Sequence, residues 1–129
     1  MYCLDTNIIV NYLRGDKQTI FKINELNEDC ELFVTPLTLC ELYRGAYLSK
    51  DSEIKVRLIK EFIGSFVLLE FNEKVSLEYG KEYSRLKKLG KITENIDLMI
   101  ACFAKTNNLI LVTRNKKHFE NIGIKIESW

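Results

Sequence analysis

Short apolar runs alternate along this chain with longer stretches in which apolar residues recur every three or four positions. The short runs lack the alternation of a half-exposed strand, so they indicate strands buried on both faces. The longer stretches have the period of an amphipathic helix. The predicted strands are 2–5, 31–35, 67–71, 109–113 and 124–127, and the predicted helices are 7–14, 17–28, 36–49, 53–65, 73–89 and 96–107.

The order of these elements predicts the fold class. Pairs of helices separate most of the strands, and a further helix without assigned bounds is expected between the last two strands. This order is typical of an α/β protein, so we expect a three-layer α/β/α sandwich with a central parallel sheet of four to five strands. The chain has 129 residues and no linker or internal repeat, which predicts a single domain over residues 1–129.

Residue types also predict helix faces and helix ends. In the helix 73–89, Glu82 and the other charged residues are expected to face water. Pro36 is expected to open the third helix, and Asn72 and Asn95 are expected to cap the last two helices. The core-facing stripe of helix 73–89 is expected to be Val75, Tyr79, Tyr83 and Leu86.

Composition and charge narrow the possible classes of protein. Apolar residues make up 47% of the chain and proline occurs once, which argues against a disordered chain. No apolar run is long enough to span a bilayer and no secretion signal is present, so we expect a cytoplasmic protein. The four cysteines show no CxxC spacing and are expected to be free thiols. The net charge is +1, so any nucleic acid must be bound by a local basic cluster such as 85–91 or 114–118.

Asp5 directly follows the first predicted strand and precedes the first predicted helix. A carboxylate at the carboxyl end of a parallel strand lies in the crevice where open α/β sheets bind ligands. Aspartate at such a turn also commonly caps the following helix. Asn7 is an alternative cap, which would leave Asp5 free for a chemical role.

Glu41 lies in a predicted helix that is apolar nearly all round. Leu37 and Leu48 fall on its face at spacings of four and seven residues, so its carboxylate is expected in or beside the core. A buried ionised carboxylate is unfavourable unless it is paired, protonated or bound to a metal. An ion pair with Arg44, three residues further on, is the structural alternative.

Asp97 lies in the first turn of the apolar helix 96–107. Acids are favoured there by the helix dipole, and this is the structural alternative to a chemical role. The next strand ends in Thr113, Arg114 and Asn115, which right-handed crossovers place beside the end of the first strand. Polar groups are therefore expected to converge on one edge of the sheet.

Three acids in apolar surroundings at one edge predict a divalent-metal site. Carboxylate oxygens favour Mg²⁺ or Mn²⁺, and the lack of a nearby histidine or cysteine argues against zinc. Such an ion can activate a water molecule and neutralise charge on a phosphodiester. The acids Asp5, Glu41 and Asp97 are the expected ligands.

The same residues, taken in order, resemble a known family. The matching runs are Leu4-Asp5-Thr6-Asn7, Thr38-Leu39-Cys40-Glu41-Leu42 with Gly45, Asn95-Ile96-Asp97 with Ile100-Ala101, and Thr113-Arg114-Asn115 with His118-Phe119. In combination they resemble the PIN domain, specifically the VapC-type toxins of toxin–antitoxin pairs. The resemblance covers essentially the whole chain.

The resemblance implies a function and partners. Asp5, Glu41 and Asp97 match the metal-binding and catalytic acids of a Mg²⁺- or Mn²⁺-dependent endoribonuclease. It also implies a homodimer and a small VapB-type antitoxin that wraps the toxin and can insert a basic side chain into the acidic pocket. Asn115 stands where many PIN domains have a fourth acid, which weakens the expectation of a second metal ion.

The resulting hypothesis is hydrolysis of RNA by a metal-activated water. Thr6, Thr113 and Asn115 are expected to orient the ligands. One or more of three basic residues, Arg14, Arg114 or Lys116, are expected to position the RNA backbone. The expected enzyme is an endoribonuclease specific for single-stranded RNA or for a particular RNA structure.

Other functions remain open from the sequence. One alternative is a catalytically weak PIN-fold module that binds RNA or protein, and another is a housekeeping RNA-processing nuclease. A receiver-like signalling domain is disfavoured because the third predicted strand, 67–71, has no aspartate at its end. A phosphohydrolase with a DxD motif is disfavoured because Asn7 occupies the place of the second acid.

Overall fold

In the computed structural model, residues 1–27, 30–91 and 93–129 of the protein are described. Among them, five strands form one parallel sheet in the order β3-β2-β1-β4-β5, and six α-helices flank it. The strands are β1 (Tyr2–Leu4), β2 (Leu32–Val34), β3 (Val67–Leu68), β4 (Ile110–Val112) and β5 (Ile126–Glu127). The helices are α1 (Thr6–Leu13), α2 (Lys17–Asn27), α3 (Pro36–Tyr47), α4 (Ser52–Ile63), α5 (Glu73–Lys88) and α6 (Asn95–Thr106).

The five predicted strands and the six helices with predicted bounds are present, with ends shifted by a few residues. The largest shift is at β3, which ends at Leu68 and not at residue 71. The predicted end of the second helix, residue 28, lies outside the described residues. The further helix expected before β5 is wrong as an α-helix: a single 3₁₀ turn, Lys116–His118, occupies that segment. Three consecutive basic residues provide no apolar face that could pack a longer helix.

The sheet separates two apolar cores, as expected for a three-layer sandwich. One core packs α5 and α6 against the sheet, and the other packs α1 to α4 against its opposite face. Neighbouring strand residues point to opposite faces, so Cys3 belongs to the first core and Leu4 to the second, and both are fully buried. The same division holds for Leu111 and Val112 in β4. This explains why the strands lack a polar alternation.

Two helical faces differ from the prediction. In α5, Glu82 is buried and Tyr83 is exposed, because Lys105 of α6 supplies a cation that makes a carboxylate tolerable on the packed face. In α3, the buried face is formed by Thr38, Leu42 and Ala46. Leu48 lies outside α3 and is 82% exposed, so its predicted place beside Glu41 in the core is wrong.

The predicted helix ends are partly confirmed. Pro36 is the first residue of α3, and the side chain of Thr35 caps that helix. Asn72 caps α5 by accepting a hydrogen bond from the amide of Val75 at 3.2 Å. The capping role predicted for Asn95 is wrong, because Asn95 is the first residue of α6 and the cap position carries no side-chain hydrogen bond.

Two further predictions concern the state of the cysteines and the length of the apolar helices. All four cysteines are free, as predicted; two are buried, and Cys40 is exposed. Within the described part of the chain, no helix is long and apolar enough to cross a bilayer.

Candidate metal-dependent active site

The ends of β1 and β4 meet at the centre of the sheet and begin the site. Leu4 pairs with Val112, so the next residues, Asp5 and Thr113, leave the sheet side by side. The backbone amide of Asp5 donates to the carbonyl of Val112 at 3.0 Å, which extends this pairing to the carboxylate itself. The predicted convergence of these two strand ends is confirmed.

Asp5 is the N-cap of α1, and it makes further contacts. Its Oδ1 accepts a hydrogen bond from the amide of Thr6 at 2.8 Å, so the capping alternative is correct and Asn7 is not the cap. Its Oδ2 accepts hydrogen bonds from Nδ2 of Asn7 at 2.6 Å and from the hydroxyl of Thr113 at 2.7 Å. A cap requires one acceptor oxygen, and both oxygens of Asp5 are held in place.

The charge on Asp5 is not balanced by a cation within the described residues. The residue is 5% exposed, and its three hydrogen-bond donors are neutral. Burial raises the pKa of Asp5 above its ordinary value; repulsion from Asp97 and Glu41 adds to this increase, and hydrogen bonds from Thr113 and Thr6 oppose it. Asp97 and Glu41 thus both disfavour the charged form of Asp5.

Glu41 projects from α3 toward the start of α1. Its Oε2 accepts a hydrogen bond from the hydroxyl of Thr6, the residue whose amide binds Asp5, so Thr6 connects the two acids. The alternative ion pair with Arg44 exists at 4.0 Å, but the arginine side chain is 66% exposed. A long and exposed pair of this kind contributes little stability, so it does not explain Glu41.

Asp97 is the third residue of α6, where the helix dipole favours an acid. Its side chain is 17% exposed, and its Oδ2 lies 2.8 Å from Nδ1 of His118. The expectation that no histidine lies near the acids is therefore wrong. His118 is 21 residues away along the chain, so sequence spacing contained no sign of this contact.

Residues 113–115, which follow β4, form hydrogen bonds in and around the site. The hydroxyl of the fully buried Thr113 accepts a hydrogen bond from the amide of Asn115 at 3.0 Å. Arg114 turns away: its Nε donates to the backbone oxygen of Trp129 at 2.6 Å, and its Nη2 donates to Oδ1 of Asp16 at 3.2 Å. The guanidinium of Arg114 is thus engaged in contacts within the protein.

Asn7 is a supporting residue for which the sequence pattern indicated only a possible capping role. Its Nδ2 donates to Asp5 and also to the hydroxyl of Thr113 at 3.1 Å, and its Oδ1 accepts from the amide of Arg114 at 3.1 Å. The side chain therefore joins the end of β1 to the end of β4. Its place two residues after Asp5 was the available signal.

The donor atoms suit a hard divalent ion, but the three acids do not form a closed cluster. Within residues 1–27, 30–91 and 93–129, no three histidine, cysteine, aspartate or glutamate side chains lie close enough to hold a metal ion together. Each acid points instead at its own donor: Thr113 for Asp5, Thr6 for Glu41 and His118 for Asp97. The carboxylate oxygens of the three acids are the type of ligand that Mg²⁺ and Mn²⁺ prefer, and the buried charge of Asp5 has no cation beside it among the described residues. Mn²⁺ can also bind an imidazole nitrogen.

A groove opens beside Glu41. It has a volume of about 260 Å³ and lies between α1, α3 and α4. Gly45 lines it, and an added Cβ at Gly45 would meet no atom within 4 Å, so the glycine leaves this wall open. The apolar lining is formed by Val10, Leu13, Leu42, Ala46, Leu58 and Ile59.

Comparison with known proteins agrees with this architecture. The PIN domain family profile matches residues 2–125. Ribonuclease VapC1 of Haemophilus influenzae strain R2866 is 36% identical over 131 residues, covering 100% of this chain and 98% of that protein. Two solved structures, described next, are also similar to this chain over nearly its whole length.

Two solved structures are similar over almost their full length. VapBC2 from Rickettsia felis bound to a promoter DNA fragment matches with a TM-score of 0.93 and 29% identity, covering 99% of this chain and 98% of that chain. VapBC-1 from nontypeable Haemophilus influenzae matches with a TM-score of 0.89 and 35% identity, covering 99% and 97%. From its profile match, its relatives and its fold, this chain belongs to the PIN domain family and, within it, to the VapC type.

Proposed function

We propose that this protein is a Mg²⁺- or Mn²⁺-dependent endoribonuclease and the toxin of a toxin–antitoxin pair. The observation that carries the proposal is Asp5: a buried carboxylate with neutral donors, repelled by Glu41 and Asp97. Such an arrangement is unfavourable without a cation and becomes favourable when one binds. The name of the Haemophilus relative, a ribonuclease, supports RNA as the substrate.

In this proposal Asp5 and Asp97 hold the metal ion, and Glu41 completes the site. When bound, Mg²⁺ or Mn²⁺ supplies two things: a lowered pKa for a water molecule and neutralisation of charge on the phosphodiester. The chain supplies the orientation of the ligands. Thr113 and Asn7 keep Oδ2 of Asp5 in place, and Thr6 keeps Oε2 of Glu41 in place.

Exposed basic residues near the site are suited to the RNA backbone. Arg14 lines the groove beside Glu41, and Lys116 lies in the 3₁₀ turn next to Asn115. Both side chains are exposed. They are better placed for phosphate contacts than Arg114, whose guanidinium binds Asp16 and Trp129.

The test compares RNA cleavage by the wild type, D5N and D97N with Mg²⁺, with Mn²⁺ and with EDTA. We expect cleavage by the wild type with metal, at least about 100-fold less by either variant, and none with EDTA. Asp51→Asn is the matched control, because Asp51 is an exposed acid whose side chain makes no capping bond. Its activity should equal that of the wild type.

Each of the following outcomes would contradict part of the proposal. Equal cleavage by wild type and D5N, or equal cleavage with and without EDTA, would exclude a metal-dependent site at Asp5. RNA binding without any cleavage would favour the alternative of a binding module. A housekeeping nuclease would cleave RNA but would have no inhibitory partner.

We further propose that a small VapB-type antitoxin binds the groove between α1, α3 and α4. The similar structures from Rickettsia felis and Haemophilus influenzae are described as VapBC assemblies, which supports such a partner. The groove has a mainly apolar lining that also includes the carboxylate of Glu41, together with Arg14 and Lys55. An amphipathic segment that ends in a basic side chain would match both features.

Leu58 provides the test of this groove, since its side chain is 44% exposed and lines it. Leu58→Ser should weaken co-purification with a VapB-type antitoxin by about 10-fold or more and leave RNA cleavage unchanged, because it adds no charge beside Arg14. Leu77→Ser is the control, because Leu77 is 64% exposed on α5 outside the groove. Equal loss of the partner in both variants would place the contact elsewhere.

A further inference from the structure

His118 makes the only polar contact to the Asp97 carboxylate among the described residues. It is the one histidine of the chain, and its Nδ1 lies 2.8 Å from Oδ2 of Asp97. Asp5, by comparison, has three donors. The orientation of Asp97 thus depends on a single neighbour.

The backbone of His118 is held firmly enough to orient a ligand. Its amide donates to the carbonyl of Asn115 at 3.0 Å, and the next amide, that of Phe119, donates to the carbonyl of Lys116 at 3.0 Å. Phe119 is 1% exposed and anchors the turn in the core. The imidazole itself is half exposed, so its position is set by the turn and by Asp97.

The direction of the hydrogen bond follows from the chemistry of the two groups. An ionised carboxylate can only accept, so Nδ1 must carry the proton, as it does in one neutral tautomer and in the imidazolium. The bond therefore exists in either charge state of the ring. It occupies Oδ2 and leaves Oδ1 of Asp97 as the oxygen without a partner within the described residues.

We propose that His118 is a positioning residue that holds Asp97 in the orientation required to bind the divalent ion. The inference rests on the proposed metal site and adds a residue to it. Hydrogen-bonded partners of metal ligands commonly change metal affinity by 10- to 100-fold when removed. His118 meets this description because it contacts the ligand and lies on a turn fixed by the core.

The test measures Mn²⁺ affinity by calorimetry in the full-length protein. H118A should bind Mn²⁺ about 10- to 100-fold more weakly than the wild type, whereas H118N should recover most of the affinity because its amide can still donate to Asp97. Lys117→Ala is the matched control from the same exposed turn. Thermal unfolding without metal shows whether each variant is folded.

A second measurement does not depend on metal or on activity. The ¹⁵N chemical shifts of the His118 ring in neutral solution should show the Nδ1-protonated tautomer, and D97N should shift the population toward the Nε2-protonated form. A merely structural role for His118 would lower thermal stability and leave Mn²⁺ affinity unchanged.

The outcomes separate this inference from the proposed function. Unchanged Mn²⁺ affinity in H118A, together with its loss in D97N, would overturn the role of His118 and retain the metal site. A predominantly Nε2-protonated ring in the wild type would also overturn it. A wild type that binds no Mn²⁺ would overturn both proposals.

Discussion

Asp5 accepts hydrogen bonds from a backbone amide, an amide side chain and a hydroxyl, and Thr113 supplies the hydroxyl from the end of β4. Thr113 is fully buried and also accepts from Asn7 and from the amide of Asn115. Its single oxygen therefore connects three groups at the site. Removing it should affect stability as well as the orientation of Asp5.

Thr113→Val keeps the shape of the side chain and removes the hydroxyl. We expect the free energy of unfolding to fall by about 1–3 kcal/mol, because Asp5 loses a donor and two amides lose an acceptor. Urea denaturation measures the change. Thr106→Val is the control, since the hydroxyl of Thr106 donates to carbonyl oxygens of its own helix and accepts only a long, exposed hydrogen bond from Asn107. Equal losses in the two variants would contradict the special role of Thr113.

Glu82 is a second buried acid, and its charge is balanced. Lys105 lies 2.9 Å from Oε1, and Arg85 lies 2.5 Å from Oε2. Burial alone would raise the pKa of Glu82, but the hydrogen bonds from Arg85 and Lys105 outweigh it and hold the pKa below its ordinary value. The charged form is therefore stabilised by folding, in contrast to that of Asp5.

Glu82→Gln should lower the free energy of unfolding by about 1–2 kcal/mol at neutral pH, a value reduced for the partial exposure of Arg85 and Lys105. Because the pKa is lowered in the folded state, this stabilisation is complete above the ordinary glutamate pKa of about 4.3 and is lost as the pH falls through the lower folded value. Urea denaturation at several pH values measures it.

The control for Glu82 is Glu120→Gln, because Glu120 is exposed and makes no hydrogen bond or ion pair within the described residues. Its free energy of unfolding should stay within about 0.5 kcal/mol of the wild type at neutral pH. A difference between wild type and Glu82→Gln that grew as the pH was lowered would contradict the assignment.

At the level of helices and strands, periodicity located the elements better than it located their faces. The predicted core-facing stripe of α5 is confirmed at Val75 and Leu86, which are buried, and is wrong at Tyr83, which is 44% exposed. Glu82 takes a buried position because a cation on the neighbouring helix α6 meets it. A single-helix pattern contains no information about that neighbour.

The two asparagines expected to cap helices provide a direct comparison. Asn72→Ala should lower the free energy of unfolding by about 1 kcal/mol, because the amide of Val75 loses its acceptor. Asn95→Ala should change it by less than about 0.5 kcal/mol, since Asn95 only accepts an exposed hydrogen bond from Tyr79. Thermal or urea denaturation measures both, and a larger effect at Asn95 would contradict the observed start of α6.

At the level of the whole molecule, the two cores share the same five-stranded sheet. Trp129 is 7% exposed and lies in the core formed with α1 to α4, where its ring packs edge-on against Tyr2 at 5.5 Å. Phe103 is fully buried in the other core. The two cores cover opposite faces of the same strands, so loss of either core would expose one face of the sheet against which the other core packs.

We therefore predict a single cooperative unfolding transition, as expected for one domain over residues 1–129. Trp129 is the only tryptophan, so its fluorescence reports on one core, and hydrogen exchange of α6 amides in urea reports on the other. Both probes should give the same midpoint at one fixed protein concentration. Two separate midpoints would contradict a single domain.

The homodimer implied by the family resemblance also stays a prediction, which sedimentation analysis would check.

The linear order of apolar and polar residues was sufficient for the parallel sheet, the two helical layers and the positions of Asp5, Glu41 and Asp97 on their elements. These features depend on the period of the apolar residues and on the common direction of parallel strands, and both follow from the order of residues along the chain. Distances between side chains on different elements do not follow from that order. The Asn7 bridge, the contacts of Arg114 with Asp16 and Trp129, and the contact of His118 with Asp97 arise only after packing brings separate segments together.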